Sequence, residues 1–449
     1  MLPFRTYQQI LDDDNEAIPP AFRESPGTDG CPTEVPVAWY IDRRFHEREK
    51  ERLWSSAWQV ACREEHIPNP GDQYVYDITD KSYLVVRGDD GAIRAFVNAC
   101  LHRGRLLRDY PGSAHEIRCP FHAIAWSLDG RLKEIPGGDE FVQRDPCEWQ
   151  LAEVSVGKWG GFVFINPDRA APPLQEYLSV LSRHFERWPL DRRYLAKHVS
   201  KKIRCNWKVA QEAFMEAYHT SATHPQSVWS SGEGPTSQYD AFGIFSRAVT
   251  PRAVPSPNLK VKISEQRIID GMLNRLNRSE AVLLPEGMTA RQYYSKMMRQ
   301  ELSRQIGDKA AELSTTELCD LIYYTVFPNF HPWGGYYQSI YLFKPNGDDH
   351  ETCTMEFMLL APFEGTRPPA APLEHLDYDE SWTTKVGPRG RIFDQDSLNM
   401  PEVHRGLLTT RQTSVRLALR QEGKIRHFYK LYQERMGLDA DASRPAANR

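Results

Sequence analysis

The sequence predicts an α+β protein, with an all-β domain set between a short N-terminal segment and a larger domain of antiparallel sheet and helices. Three observations carry this. Residues 58–166 are short runs rich in Val, Ile, Tyr and Phe, broken by hairpin-forming turns. Beyond residue 168, amphipathic helical stretches are mixed with longer strand-like runs. A Pro-rich stretch, Asn166-Pro167 to Pro173, punctuates the two textures. The expected division is an N-terminal segment over 1–55 packing on the larger domain, the β domain over 56–167, and the larger domain over 168–449.

A chain of 449 residues, 40% hydrophobic and 26% charged, can bury a sizeable core. Its formal net charge of −4 suggests neither a nucleic-acid partner nor an anionic membrane. The opening MLPFRTYQQILDDDNEAIPP has no apolar run and carries three successive aspartates, against a secretory signal. Nothing reaches the roughly 18 unbroken apolar residues of a membrane helix. The expected location is the cytoplasm, where the scattered cysteines stay reduced thiols.

In chain order, residues 43–56 carry spaced apolar positions and predict a helix. Residues 73–77, 83–86, 93–97 and 161–165 predict strands, with turns at Gly88-Asp89-Asp90-Gly91 and Asp129-Gly130. Residues 203–218 have helical texture, and 289–313 predict a long polar helix with an apolar stripe. Strands follow at 322–328, 338–343 and 352–360, the last two joined by Pro345-Asn346-Gly347-Asp348-Asp349. Residues 407–436 predict a closing helical stretch, and 439–449 a frayed tail.

Within the β domain, Cys100-x-His102 is followed after sixteen residues by Cys119-x-x-His122. Each pair puts a thiolate and an imidazole on one tight loop, and the interval admits a hairpin that brings the loops face to face. A two-iron, two-sulfur centre with two cysteines on one iron and two histidines on the other needs this set. Zinc fingers group both cysteines ahead of both histidines, whereas here the types alternate. Cys100-x-His102-Arg103-Gly104 with Cys119-Pro120-Phe121-His122 and downstream Asp129-Gly130 resembles the Rieske domain of ring-hydroxylating oxygenase large (alpha) subunits. Ala123 stands where that family carries glycine, and a positive φ there would cost an alanine.

The second constellation lies in NWKVAQEAFMEAYHTSATHP, from Asn206 to Pro225. His219 and His224, five residues apart, would point about 140° from each other on an unbroken helix. They can share a metal only if the helix ends between them. Thr220, Ser221, Thr223 and Pro225 favour that ending. Two histidines and one carboxylate with open positions form the usual Fe(II) site for O2 chemistry. Glu216 precedes His219 by three, but the di-iron Glu-x-x-His pattern needs two copies and only His219 offers one.

This segment resembles the same family's Asn-Trp-Lys … Asp/Glu-x-Tyr-His-x-x-x-x-His pattern. The resemblance implies a Rieske [2Fe-2S] domain inserted in a helix-grip-like catalytic domain. It implies that His219 and His224 bind a mononuclear Fe(II). It gives Glu216 the bridging position between His219 and His122 of a neighbouring subunit. Ala213 and His404 replace the family's Asn and Gln. The third ligand falls in RIFDQDSLNMPEVHRGL, where Asp396 matches best and Asp394 is the alternative.

One centre stores electrons without a place for substrate; the other has open positions without a store. Together they predict reductive O2 activation, giving a cis-diol, a monohydroxylated or a dealkylated product from a hydrophobic, aromatic or cyclic compound. No Gly-x-Gly-x-x-Gly fingerprint occurs, so electrons from NAD(P)H should arrive through a separate reductase, with or without a ferredoxin. The family implies a homotrimer or a multiple of one, with or without a small beta subunit. Candidate pocket residues are Phe214, Met215, Phe327, Phe330, Trp333, Tyr336 and Tyr337, with residues 227–288 as a candidate lid. An electron carrier or a zinc-dependent interaction protein are the competing classes.

Overall fold

The computed structural model describes residues 5–14, 16–142, 145–275, 282–363 and 365–438. The expected tail at 439–449 and residues 276–281 of the expected lid lie outside these.

The first sheet is antiparallel and seven-stranded, in the order Gln59–Arg63, Phe162–Asn166, Glu153–Trp159, Ile93–Val97, Lys81–Arg87, Asp72–Ile78 and Gly112–Ser113. The Gly88–Gly91 turn closes one of its hairpins, the Gly88 amide bonding the Ala92 carbonyl at 2.8 Å. A small three-stranded sheet, Ile117–Arg118, Ala125–Trp126 and Leu132–Glu134, sits beside it. The Lys81–Arg87 strand shows how the parts join. Its Leu84 and Val86 face a cluster with Leu107, Ile117 and Trp126 that also contains Cys100 and Cys119. Its Tyr83 and Val85 belong to the main core with Val199, Tyr341 and Phe357. Alternate side chains of one strand thus bind the β domain to its neighbour.

The second sheet has eight strands, in the order Gln238–Phe242, Phe245–Thr250, Leu321–Val326, Phe330–Pro332, Ser339–Asn346, Asp349–Pro362, Arg193–Ile203 and Leu373–Leu376. All pairs are antiparallel except the last. The N-terminal segment is tied to this half: Glu34–Pro36 pairs with Ser414–Arg416, and the Tyr7 hydroxyl meets Asp320 at 3.0 Å.

Three expectations need correction. Residues 203–218 are not one helical stretch: Ile203 ends the Arg193–Ile203 strand, and only Trp207–Glu212 is helical before a break. Asn206 starts that helix by accepting the Lys208 amide at 3.1 Å. Residues 407–436 are likewise divided, into Gly390–Thr409, a short strand and Gly423–Met436. The candidate lid over 227–288 is not one loop: it contains two adjacent strands of the eight, Gln238–Phe242 and Phe245–Thr250, and the helix Glu265–Met272. Among the described residues no helix is long and apolar enough to cross a membrane.

Candidate metal centres

The two Cys/His loops are the same turn used twice. In the first, the Gly104 amide donates to the Cys100 carbonyl at 2.9 Å and the Cys100 amide to the Arg105 carbonyl at 2.8 Å. In the second, the Ala123 amide donates to the Cys119 carbonyl at 3.0 Å and the Cys119 amide to the Ile124 carbonyl at 2.9 Å. The turn needs a left-handed residue: Gly104 has φ +74° and Ala123 φ +61°. The alanine therefore carries the strain that glycine avoids.

The loops bring Cys100 and Cys119 together as buried thiols, with His102 and His122 beside them, ring centroids 4.7 Å apart. His102 Nδ1 is buried with no hydrogen-bond partner among the described residues. A buried ring nitrogen left without a partner is costly unless something coordinates it. Two thiols, two imidazoles and this orphan atom fit a Rieske cluster. His122 is exposed to solvent, and so is the neighbouring Phe121.

The second site begins on the Trp207–Glu212 helix, which is nailed to the core. Trp207 Nε1 donates to Glu49 at 3.0 Å, and Lys208 forms a buried ion pair with the same carboxylate. After the helix ends, a single turn at Thr220–Thr223 lies between His219 and His224. His224 leaves it at φ −121°, ψ 59°, ahead of Pro225. The break turns both rings inward, and their Nε2 atoms lie 3.3 Å apart.

Asp396 comes from the Gly390–Thr409 helix, 4% exposed, with Oδ1 at 3.0 Å from His224 Nε2 and 3.6 Å from His219 Nε2. Asp394 does not join them. It anchors the chain instead, accepting Ser381 Oγ at 2.6 Å and the Trp382 amide at 2.7 Å. Each histidine is oriented from behind: His219 Nδ1 lies 2.5 Å from Glu216 Oε1, and His224 Nδ1 lies 3.0 Å from Gln395 Oε1. Such contacts fix which nitrogen faces a metal. Glu216 also accepts the His219 amide at 3.1 Å and the Tyr218 amide. Burial disfavours a charged His219, but the Glu216 hydrogen bond and charge outweigh it and raise the imidazole overall. The donor set is that of a 2-His-1-carboxylate iron site.

A cavity of 630 Å³ opens onto the triad. Of the expected liners, Phe214, Trp333, Tyr336 and Tyr337 are on its wall. Met215, Phe327 and Phe330 are instead packed in the cores: Met215 and Phe327 on turns after a helix and a strand, Phe330 on the Phe330–Pro332 strand. Sequence reasoning missed Gln395, Tyr341 and Arg252: each stands alone in its segment, with no spacing to mark it.

Residues 181–438 match the model of the ring hydroxylating alpha subunit catalytic domain, and residues 57–151 that of the Rieske [2Fe-2S] domain. Over 194 residues the chain is 32% identical to the carnitine monooxygenase oxygenase subunit of Escherichia coli (strain K12), covering 42% of this chain and 52% of that protein. The chain thus spans about half the length of this relative. It is 25% identical over 415 residues to the glycine betaine monooxygenase oxygenase subunit of Chromohalobacter salexigens, 92% of this chain and 88% of that one. A solved quaternary ammonium Rieske monooxygenase in complex with an inhibitor superposes with TM-score 0.65 at 19% identity, covering 94% of this chain and 99% of that one. A naphthalene 1,2-dioxygenase mutant bound to phenanthrene gives TM-score 0.64 at 19% identity, covering 93% and 95%. At that identity the likeness speaks for the fold.

Proposed function

Because this chain belongs to the ring-hydroxylating alpha-subunit family, with a Rieske domain ahead of the catalytic one, we propose that it is the terminal oxygenase of a Rieske non-haem iron system. In this reading Cys100 and Cys119 hold one iron of the cluster and His102 and His122 the other, while His219, His224 and Asp396 hold a mononuclear Fe(II). When bound, the cluster supplies single electrons and the mononuclear iron supplies a centre for O2 activation. The observation that carries the reading is the convergence of His219, His224 and Asp396, from two distant segments, on one point of the cavity wall.

The protein's own residues do the rest. Glu216 and Gln395 hold the two imidazoles with Nε2 inward. The exposed His122 and Phe121 beside one centre, and exposed Tyr218 and Leu398 beside the other, suit contact between copies. That supports a homotrimer or multiple in which Glu216 links His219 to His122 of a neighbouring copy. Electrons would reach the cluster from NAD(P)H through a reductase, with or without a ferredoxin, and a small beta subunit remains compatible with the fold.

The substrate would be hydroxylated, once or as a cis-diol, or oxidatively dealkylated. The cavity wall of Tyr323, Trp333, Tyr337 and Tyr341 suits a flat hydrophobic ring. The same rings favour a second reading, a trimethylammonium compound held by cation–π attraction, in keeping with the carnitine and glycine betaine relatives. Turnover under ¹⁸O2 with a surrogate reductase, across aromatic, terpenoid and N- or O-methyl compounds, tests both. Label in a product supports the oxygenase, and the number of labelled atoms separates mono- from dioxygenation. Unlabelled products throughout would overturn it.

A further inference from the structure

Two arginines line the cavity without a carboxylate partner among the described residues: Arg389, which is exposed, and Arg252, which is half-buried. Arg252 follows the Phe245–Thr250 strand and lines the cavity. Its Nη1 donates to the Tyr337 hydroxyl at 2.8 Å, and no described carboxylate pairs with it. The nearby carboxylates are engaged elsewhere. Asp320 takes Arg291 Nη1 at 2.5 Å, the Tyr7 hydroxyl at 3.0 Å and only the backbone amide of Arg252, at 3.0 Å. Glu317 takes Arg187 Nε at 2.6 Å and Trp188 Nε1 at 2.9 Å, and Glu301 takes Arg304 at 2.7 Å.

Other deep-set arginines are provided for. Arg247 holds Asp240, Arg63 holds Glu65, and Arg193 donates to the Gly335 and Tyr337 carbonyls. A half-buried guanidinium without a counter-ion is costly, and its planar fork of donors matches a carboxylate. The Tyr337 hydroxyl, having accepted from Arg252, keeps its own proton to donate to the same anion.

A line of rings joins this cation to the triad. Phe393, one turn before Asp396 on the same helix, lies 5.6 Å from Tyr341 between ring centroids. Tyr341 lies 6.0 Å from Trp333, and Trp333 lies 5.3 Å from Tyr337. We infer that Arg252, with Tyr337, binds a carboxylate of the substrate, whose body lies along these rings with its oxidisable carbon at the triad. The placement of the oxidisable carbon rests on the oxygenase reading; the anion subsite rests on the cavity alone.

Calorimetric titration of the iron-loaded full chain tests this without turnover. The probes are 3-phenylpropanoate against 3-phenylpropanamide, and 4-(trimethylammonio)butanoate against its amide. In at least one pair the acid should bind about tenfold or more tighter than the amide, the worth of a hydrogen-bonded charge. Arg252→Gln should abolish that preference and leave the amide's affinity unchanged, and Tyr337→Phe should reduce it part way. If Arg252→Gln does not fold, Arg252→Lys, which keeps charge but loses the fork, should show an intermediate preference. Equal binding of acid and amide, no binding of either acid, or equal loss of both in the variants would overturn the inference. Iron-loaded, turnover-competent protein without acid preference removes only the Arg252 subsite. Zinc in place of iron would remove the oxygenase reading and leave the subsite standing.

Discussion

Glu216 Oε1 lies 2.5 Å from Nδ1 of His219, while its other oxygen accepts the backbone amides of Tyr218 and His219. One carboxylate therefore shapes the loop that carries the ligand and also sets the ligand's ring. A contact of this kind can orient a metal-facing imidazole and, across a subunit boundary, pass an electron toward it.

Glu216→Gln keeps one oxygen that can accept from His219 Nδ1 but gives up the oxygen that takes the Tyr218 and His219 amides, so the cluster should stay bound and the mononuclear iron should be retained in excess Fe(II). The charge proposed to link the ring to a neighbouring subunit is gone, and turnover should fall by roughly ten- to a hundredfold or more. Iron content and O2 uptake check this together. Full activity would remove the bridging role.

His219→Ala and Asp396→Asn should each lose the mononuclear iron and retain the visible spectrum of the cluster, because the two sets of side chains come from separate segments, 100–122 and 219–396. Asp394→Asn should keep the iron. Its cost should be stability instead, since Asp394 holds Ser381 and the Trp382 amide. Metal analysis of the three variants distinguishes the two aspartates, and iron lost from Asp394→Asn alone would reverse their assignment.

The division of labour between these aspartates was only partly legible in the chain. The paired Cys/His loops have spacing, and spacing is readable. So was the helix end between His219 and His224, announced by threonines and Pro225. Asp396 is different: it lies in a 20-residue helix that runs through Pro401, a residue that suggests a turn. The Arg193–Ile203 strand was missed because RYLAKHVSKKI is rich in cations. It is nonetheless an inner strand, paired along Asp349–Pro362 on one side and Leu373–Leu376 on the other, with Lys201 donating to the Asp377 and Glu380 carbonyls. Arg252 and Tyr337 meet only in the folded chain, so no local pattern could mark them.

Ala123→Gly should stabilise the second cluster loop. The alanine holds φ +61°, a conformation that glycine adopts freely, while glycine's extra unfolded-state freedom takes back part of the gain. The net should be about 0.5–1 kcal/mol, read as a later loss of cluster absorbance on heating. An earlier loss would contradict it.

Glu212 supplies a pH dependence. Burial raises its carboxyl from 4.5 to about 7, against the opposing hydrogen bonds of Tyr429 and Tyr40. The folded protein then binds the proton more tightly than the unfolded chain. Its contribution to stability is full below pH 4.5 and is lost as pH rises through about 7. Glu212→Gln keeps an acceptor for both tyrosines and has no charge to bury. Its Tm should exceed that of the native protein at pH 8 and match it near pH 4.5; an equal difference at both would contradict the assignment.

Two iron centres in one chain are the central expectation, and metal and sulfide analysis of the purified protein tests them most directly. The expected result is a red-brown protein with about three irons and two acid-labile sulfides per chain. A colourless protein holding zinc at the Cys100–His122 loops would contradict it.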